Sequence, residues 1–518
     1  MKSKRFLFTI GALVLTLTMV SGVLAQDASP GTMNTNVKVM GLASSGTTNM
    51  VAEYWVGTGS ASPAVSISRS VEGYGSYNFR AADTGLTGPW AGSVVVSSDK
   101  PVAATGELVL AGGSAADGKH INYYEAFSEP ADTLFLPYVV LAVHPTTGDL
   151  VHYSQFYVQN TSPSAVSVEI KYIDRVGGSV TSNATIPGNG QGRFDLSVPG
   201  PGVPDLTATA YFAARSNWGG GIVISTAEPV LTAALVHQWR EYSGAYSALA
   251  SGDSKIYLTN VDRRIFNCTA AGSSCPNSSF ANLSAIVVQN FDLVSSVNFT
   301  VTFYSKTTGG SRSFTDSLGP GAAKGYNLRV GSDTPGGAAF YEDLSFWDDI
   351  PVASNPQLGS YADGTQLWGG SAVVQGPPGS TLAAVVFNQQ IRNDLGSMYV
   401  SAADSDAAQT IVFPIAYRFT SGTQRWNLGR VMNVSAGTAD VDVYFYNANG
   451  TLQASWLNKS ATQYAIVDLF NLVTAEFDAV GTAWSGSIVV VADRPVVATT
   501  DVLWTPERYG AYNGVPVP

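Results

Sequence analysis

Four stretches of this chain repeat one another, and that repetition limits the fold more than any other feature. Trp90 begins W-A-G-S-V-V-V-S-S-D-K-P, Trp218 begins W-G-G-G-I-V-I-S-T-A-E-P, and Trp484 begins W-S-G-S-I-V-V-V-A-D-R-P. The prolines that end them, Pro101, Pro229 and Pro495, each stand eleven residues past their tryptophan. Trp368 opens a fourth copy, W-G-G-S-A-V-V-Q-G-P-P-G, whose turn reads as about two residues longer. Downstream, Tyr246 and Tyr512 each lie 28 residues past their Trp, and Met398 lies 30 past Trp368. Upstream, "VSVEIKYID" (166–174), "VNFTVTFYS" (297–305) and "ADVDVYFYN" (439–447) align without gaps, with "AVSIS" (64–68) as a shorter counterpart. Val168, Ile170 and Tyr172 alternate with Ser167, Glu169 and Lys171. Period-two alternation of this length is a strand with one face in a core and the other in water. Glycine-rich turns follow each block. Before it, "YVQN" (157–160), "VVQN" (287–290) and "RVMN" (430–433) mark another shared strand end.

Each unit therefore holds about seven short strands in 100–150 residues and no amphipathic helix, which predicts an all-β sandwich. The spacing divides the chain into a leader (1–25) and four sandwiches over 26–130, 131–252, 253–408 and 409–518. The Trp stretch reads as a sixth strand and a tight turn. Gly92 permits a close approach beside the Trp, and Pro101 sits where no ladder donor is needed. Val94 and Val96 should face the core. The middle position is Val in every copy (Val95, Val223, Val373, Val489), on the face that should be wet. That face is expected to be covered by a flanking loop or by a neighbouring unit.

The pattern resembles the tandem immunoglobulin-like β-sandwich repeats of exported bacterial cell-surface proteins. Those repeats run a "VQN" strand, a "VxVxYY" strand with a Gly turn, a "PG" loop and then "GSxVVxSDxPVAA". The resemblance covers nearly the whole chain after the leader, most weakly in the first unit. It implies four tandem immunoglobulin-like domains and a stalk, surface-layer or adhesion role, and it brings no catalytic residues.

The leader agrees. Lys2, Lys4 and Arg5 precede an apolar run from Phe6 to Val20, and Val23-Leu24-Ala25 suits a cleavage site. A secreted or cell-surface chain starting near Gln26 is expected, with no membrane-spanning segment after the leader. With 27 basic against 38 acidic residues the net charge is −11, which argues against nucleic acid as a partner. Cys268 and Cys275 are expected to form one disulfide in an oxidising compartment, and two cysteines without neighbouring histidines do not make a zinc site. The four histidines (His120, His144, His152, His237) do not recur between units, and no nucleophile elbow or metalloprotease motif is present. No metal, cofactor or catalytic residue is expected. Asn298, in one of nine N-x-S/T sequons, falls on the water face of its strand.

The third unit departs from the others through an insertion over 329–367. It carries Phe340, Tyr341, Phe346, Trp347 and Tyr361 among acids that include Asp348 and Asp349. If successive strands alternate direction, the insertion and the cysteine loop emerge side by side. Exposed aromatic faces ringed by carboxylates suit carbohydrate; folded down, the same aromatics would cover their own domain. Three readings follow. The first is a structural or adhesive surface protein of four sandwiches in a row, whose partners are other surface proteins or glycans, or further copies of itself. The second is a carbohydrate-binding protein with its site on the third unit. The third is a glycoside-acting enzyme.

Overall fold

The computed structural model describes residues 15–19, 32–56, 62–87, 90, 92–111, 121–127, 129–239, 242–265, 280–328, 334–341, 344–348, 366–390, 395–421, 424–469, 475–504 and 508–517. Its strands form several antiparallel sheets, and the helices among the described residues are short, from Ala210–Ala213 and Leu344–Trp347 to the six-residue Ala475–Val480. No helix among the described residues is long and apolar enough to cross a membrane.

The second unit shows the plan. Its strands are Thr133–Val143, Leu150–Asn160, Val166–Asp174, Ser179–Ile186, Gln191–Asp195, Asn217–Ser225, Leu231–Trp239 and Tyr242–Ser247. One face runs fourth–third–sixth–first, and the other fifth–second–seventh–eighth. The opening strand also pairs with the second strand (Tyr153 with Leu141), tying the faces together. Alternation sets which side is inward: Val168, Ile170 and Tyr172 are buried, while Ser167 and Glu169 are exposed. The third and fourth units repeat this order, opening with Lys255–Ile265 and Ala408–Phe419.

Three details differ from the sequence reading. The Trp strand and the strand after its proline do not form a hairpin. Asn217–Ser225 and Leu231–Trp239 lie on opposite faces, so Pro229 marks a corner where the chain changes sheets. In the fourth unit the corner is smooth, and Ala483–Trp504 runs through Pro495 as one strand that serves both faces. In the first unit the counterpart of Val166–Asp174 is Thr47–Val56, which buries Met50, Ala52 and Tyr54 and pairs with the Trp strand Gly92–Ser98. "AVSIS" belongs to the next strand, Val65–Glu72. Finally, Tyr399 rather than Met398 matches Tyr246 and Tyr512, because the third unit carries its extra residues both at the corner and in the following hairpin.

These tyrosines do the same work. Each opening strand bulges where its register shifts, leaving a peptide outside the ladder. The Tyr246 hydroxyl accepts from the Tyr138 N–H (3.1 Å) and donates to the Tyr138 carbonyl (2.9 Å). Tyr399 holds Asn260 in this way, and Tyr512 holds Ile415.

The units do not stand in a row. Their closing strands, Ile121–Glu125, Tyr242–Ser247, Leu395–Val400 and Arg508–Asn513, touch one another in the cycle first–second–third–fourth–first. The chain closes into a ring about a pseudo-fourfold axis. At one matching position, each closing strand inserts a side chain into the preceding unit's core. Ala245 enters the core of the first unit, Met398 that of the second, Ala511 that of the third and Tyr123 that of the fourth. The row expected from sequence overlooked these side chains, because Ala, Met and Tyr share no chemical signature at that position.

Candidate functional site

The aromatic insertion of the third unit is part of that unit's core. Phe340, Tyr341, Phe346 and Trp347 are 7%, 0%, 8% and 0% exposed and cluster with Phe303 and Trp368. Trp347 packs on Trp368 at 4.9 Å and donates its indole N–H to the Phe340 carbonyl at 3.0 Å. Rings packed on every side have no face left to stack on a sugar, so these four do not form a carbohydrate platform. Asp348 is exposed and accepts from the Leu367 N–H. Asp349, Tyr361, Cys268 and Cys275 lie outside the described residues. The stems of the two loops do lie together, since Ile265 pairs with both Gln366 and Phe280. Asn298 is exposed on its strand.

The residues shared by all copies serve the sandwich and the seams between units. Trp218, Trp368 and Trp484 are buried and Trp90 is half-buried, set edge-on to Tyr54. A Cβ on Gly92, Gly220, Gly370 or Gly486 would stand 1.9, 2.0, 2.0 or 1.9 Å from the carbonyl oxygen of Trp55, Ile173, Tyr304 or Tyr446. Only glycine fits against the partner strand there. The next position meets the following unit. Ser93 accepts from Gln159 Nε2, Gly221 lies against Gln289, Ser371 donates to the Tyr464 carbonyl, and Ser487 donates to the Tyr74 carbonyl. The middle valines are covered as expected: Val223, Val373 and Val489 are 3%, 4% and 2% exposed, and Val95 is half-buried. Val373 packs with Met432, Val434 and Val497 of the fourth unit, and Val489 with Met40 and Ala103 of the first.

Charge gathers at two seams. Between the third and fourth units, Arg430 pairs with Asp262 at 3.4 Å and donates to Asn260, whose side chain donates to Asp501. Lys306 pairs with Asp468 at the edge of the same seam. Burial works against the charge on Asp262, yet Arg264 and Arg430 hold its carboxyl below the usual range. Burial dominates at Asp501 and pushes it up to about 7, with Arg430 opposing. Between the fourth and first units, Lys38 donates to the Gly486 carbonyl at 2.9 Å, and Glu107 accepts from Tyr123 and Tyr417. Burial brings Lys38 down to about 8. Within the second unit, His152 and His237 meet through their Nε2 atoms, and Ser154 bonds His237 Nδ1 at 3.0 Å. Burial lowers His237 to about 3. None of these groups lines the axial cavity, and no cluster among the described residues has the three ligands a metal needs.

One opening is axial. A cavity of about 1070 Å³ lies where the chain leaves each closing strand, and all four units line it. Its walls are largely apolar, with Val102, Leu249, Val400, Ile411, Val497 and Val515 among them. Glu125 and Asp406 bring carboxyls to it, both raised first of all by burial. Each accepts a backbone N–H, from Asn513 at 2.6 Å and from Ala403 at 2.8 Å. Such a cavity suits a largely apolar group. Sequence reasoning missed it because its lining residues are small and scattered over the whole chain.

No family profile matches the chain, and no curated protein resembles it significantly. One solved structure is described as a tetra-tandem repeat in the extending region of a large adhesion protein. It aligns with 98% of this chain and 100% of its own at 11% identity, with a TM-score of 0.11. That likeness is weak and assigns no fold or residue role here.

Proposed function

We propose that the chain is an exported, non-catalytic structural or adhesive module of the cell surface, four immunoglobulin-like sandwiches locked into one rigid body. One observation carries this reading. The positions repeated in every copy (the Trp, the Gly two residues on, the Ser or Gly after it and the middle Val) are taken up by packing within and between units. A repeat conserved by its own packing is a scaffold. Surface placement rests on the leader, and the partners would be other surface proteins or glycans. The carbohydrate alternative loses its aromatic platform, because those rings are buried.

Antibody-labelled electron microscopy of intact cells tests the proposal. Label is expected on the cell exterior. A protein found only free in the medium, or a purified chain that turns over a glycoside, would overturn it.

A further inference from the structure

In three of the four units the opening strand completes the sandwich. Thr133–Val143, Lys255–Ile265 and Ala408–Phe419 span 11, 11 and 12 residues. Each pairs along the Trp strand and also with the second strand, joining the two faces. The first unit differs. Its opening position is held by a strand of 5 residues, Leu15–Met19, paired with Gly92–Val96. That strand makes no pairing with Thr32–Gly41, so the two faces stay separate four-stranded sheets. Leu15–Met19 also lies inside the leader that the sequence marks for removal after Ala25. Cleavage would strip the Trp strand of its partner and open the core beside Val94 and Val96, both 0% exposed.

The residues between the cleavage site and the second strand cannot refill the position. Only residues 26–31 stand between Ala25 and the second strand, which begins at Thr32. Six residues including Pro30 and Gly31 cannot supply both an 11-residue strand and the turn that follows it. An unpaired edge over an apolar core is a template for strand addition.

We infer that the mature first unit is an acceptor for β-strand addition: an extended segment of a partner polypeptide, apolar at alternate positions, pairs antiparallel with Gly92–Ser98. The sister units give its pattern, as in the inward Ile256 and Leu258 of Lys255–Ile265. The seat also touches the second unit, because Leu15–Met19 lies against Leu231–Trp239. A donor there would grip two units at once. The inference rests on export with cleavage and gives the structural reading its means of attachment.

The test uses the chain starting at Gln26 and a peptide of the sequence of Lys255–Ile265 as the probe. The peptide is expected to bind one to one and to slow amide exchange over Gly92–Val96 by about tenfold or more. Binding should be at least about tenfold weaker to the chain starting at Met1, whose seat is filled, and to a chain with that strand fused ahead of Gln26. If the first unit is unfolded without the peptide, restored protection on adding it counts as the same result. Equal binding to all three chains overturns the inference. So does protection of Gly92–Val96 without the peptide, or failure of the peptide to protect an exposed edge. N-terminal sequencing of protein recovered from cells separates the premise from the inference, since a retained Leu15–Met19 means that the seat is never vacated.

Discussion

The seam between the second and third units and the seam between the third and fourth share one backbone geometry but differ in chemistry. The first is largely apolar: Phe135 stacks on Phe291 at 3.8 Å, and Val223 and Ile173 join the third unit's core. At the matching position on the second strand, Val287 enters the second unit's core, whereas Arg430 meets Asp262 and Asn260 of the third. Strand pairing and the closing strands hold the ring's shape, and the seam residues only have to satisfy one another. Apolar contact costs little when one partner is trimmed. A buried ion pair fails badly when halved, because the remaining charge has neither water nor partner.

Experiments can break or sharpen that contrast. Gly486→Ala should cost the most, at least about 3 kcal/mol, because a methyl group 1.9 Å from the Tyr446 carbonyl forces the ladder apart at any seam. Gly220→Ala should match it, and chemical denaturation compares the two. Arg430→Ala should cost about 2–3 kcal/mol, because Asp262 loses one of its two guanidinium partners and keeps only Arg264, with Val287→Ala nearer 1–2 kcal/mol. Equal losses would mean that the charged seam is solvated. Met398→Ala should cost about 2–4 kcal/mol, felt in the second unit although the residue belongs to the third. Hydrogen exchange locates that loss.

The smallest effect is one of pH. Folded Asp501 keeps its proton to about 7, whereas an unfolded aspartate releases it near 3.8. Between those values the folded state binds more protons, so stability is lost as pH rises from about 4 to 7. Asp501→Asn should flatten that window and add about 1–2 kcal/mol at pH 8, measured as the denaturation midpoint across pH. His237 acts in the opposite sense. Folded near 3 and unfolded near 6.5, it removes stability as pH falls through that range.

Much of this was legible in the sequence. Alternation fixed strand faces, as Val168, Ile170 and Tyr172 show, and the misplaced Val at the centre of each Trp stretch foretold a covered face. Local pattern carries such information because the partner is close in sequence or the anomaly recurs. The ring was hidden for the opposite reason. Its contacts pair residues far apart and chemically unlike, such as Tyr123 against Gly510 or Met398 against Gly244, and neither partner looks unusual alone. The insertion of the third unit was ambiguous because buried and displayed aromatics have the same composition.

The residues handed backward around the axis also set an order of assembly. Ala245, Met398 and Ala511 each complete a unit already synthesised, so the first three units can gain their last core residue as the chain lengthens. Tyr123 runs the other way. It is made early and belongs to the core of the last unit, beside Phe413 and Tyr512. Until the C-terminal quarter of the chain arrives, Tyr123 has no core to enter and the fourth seam stays open. Ring closure makes the chain's longest-range contacts and is expected to be its slowest step, and a chain interrupted before it is expected to present an unfilled surface to its neighbours.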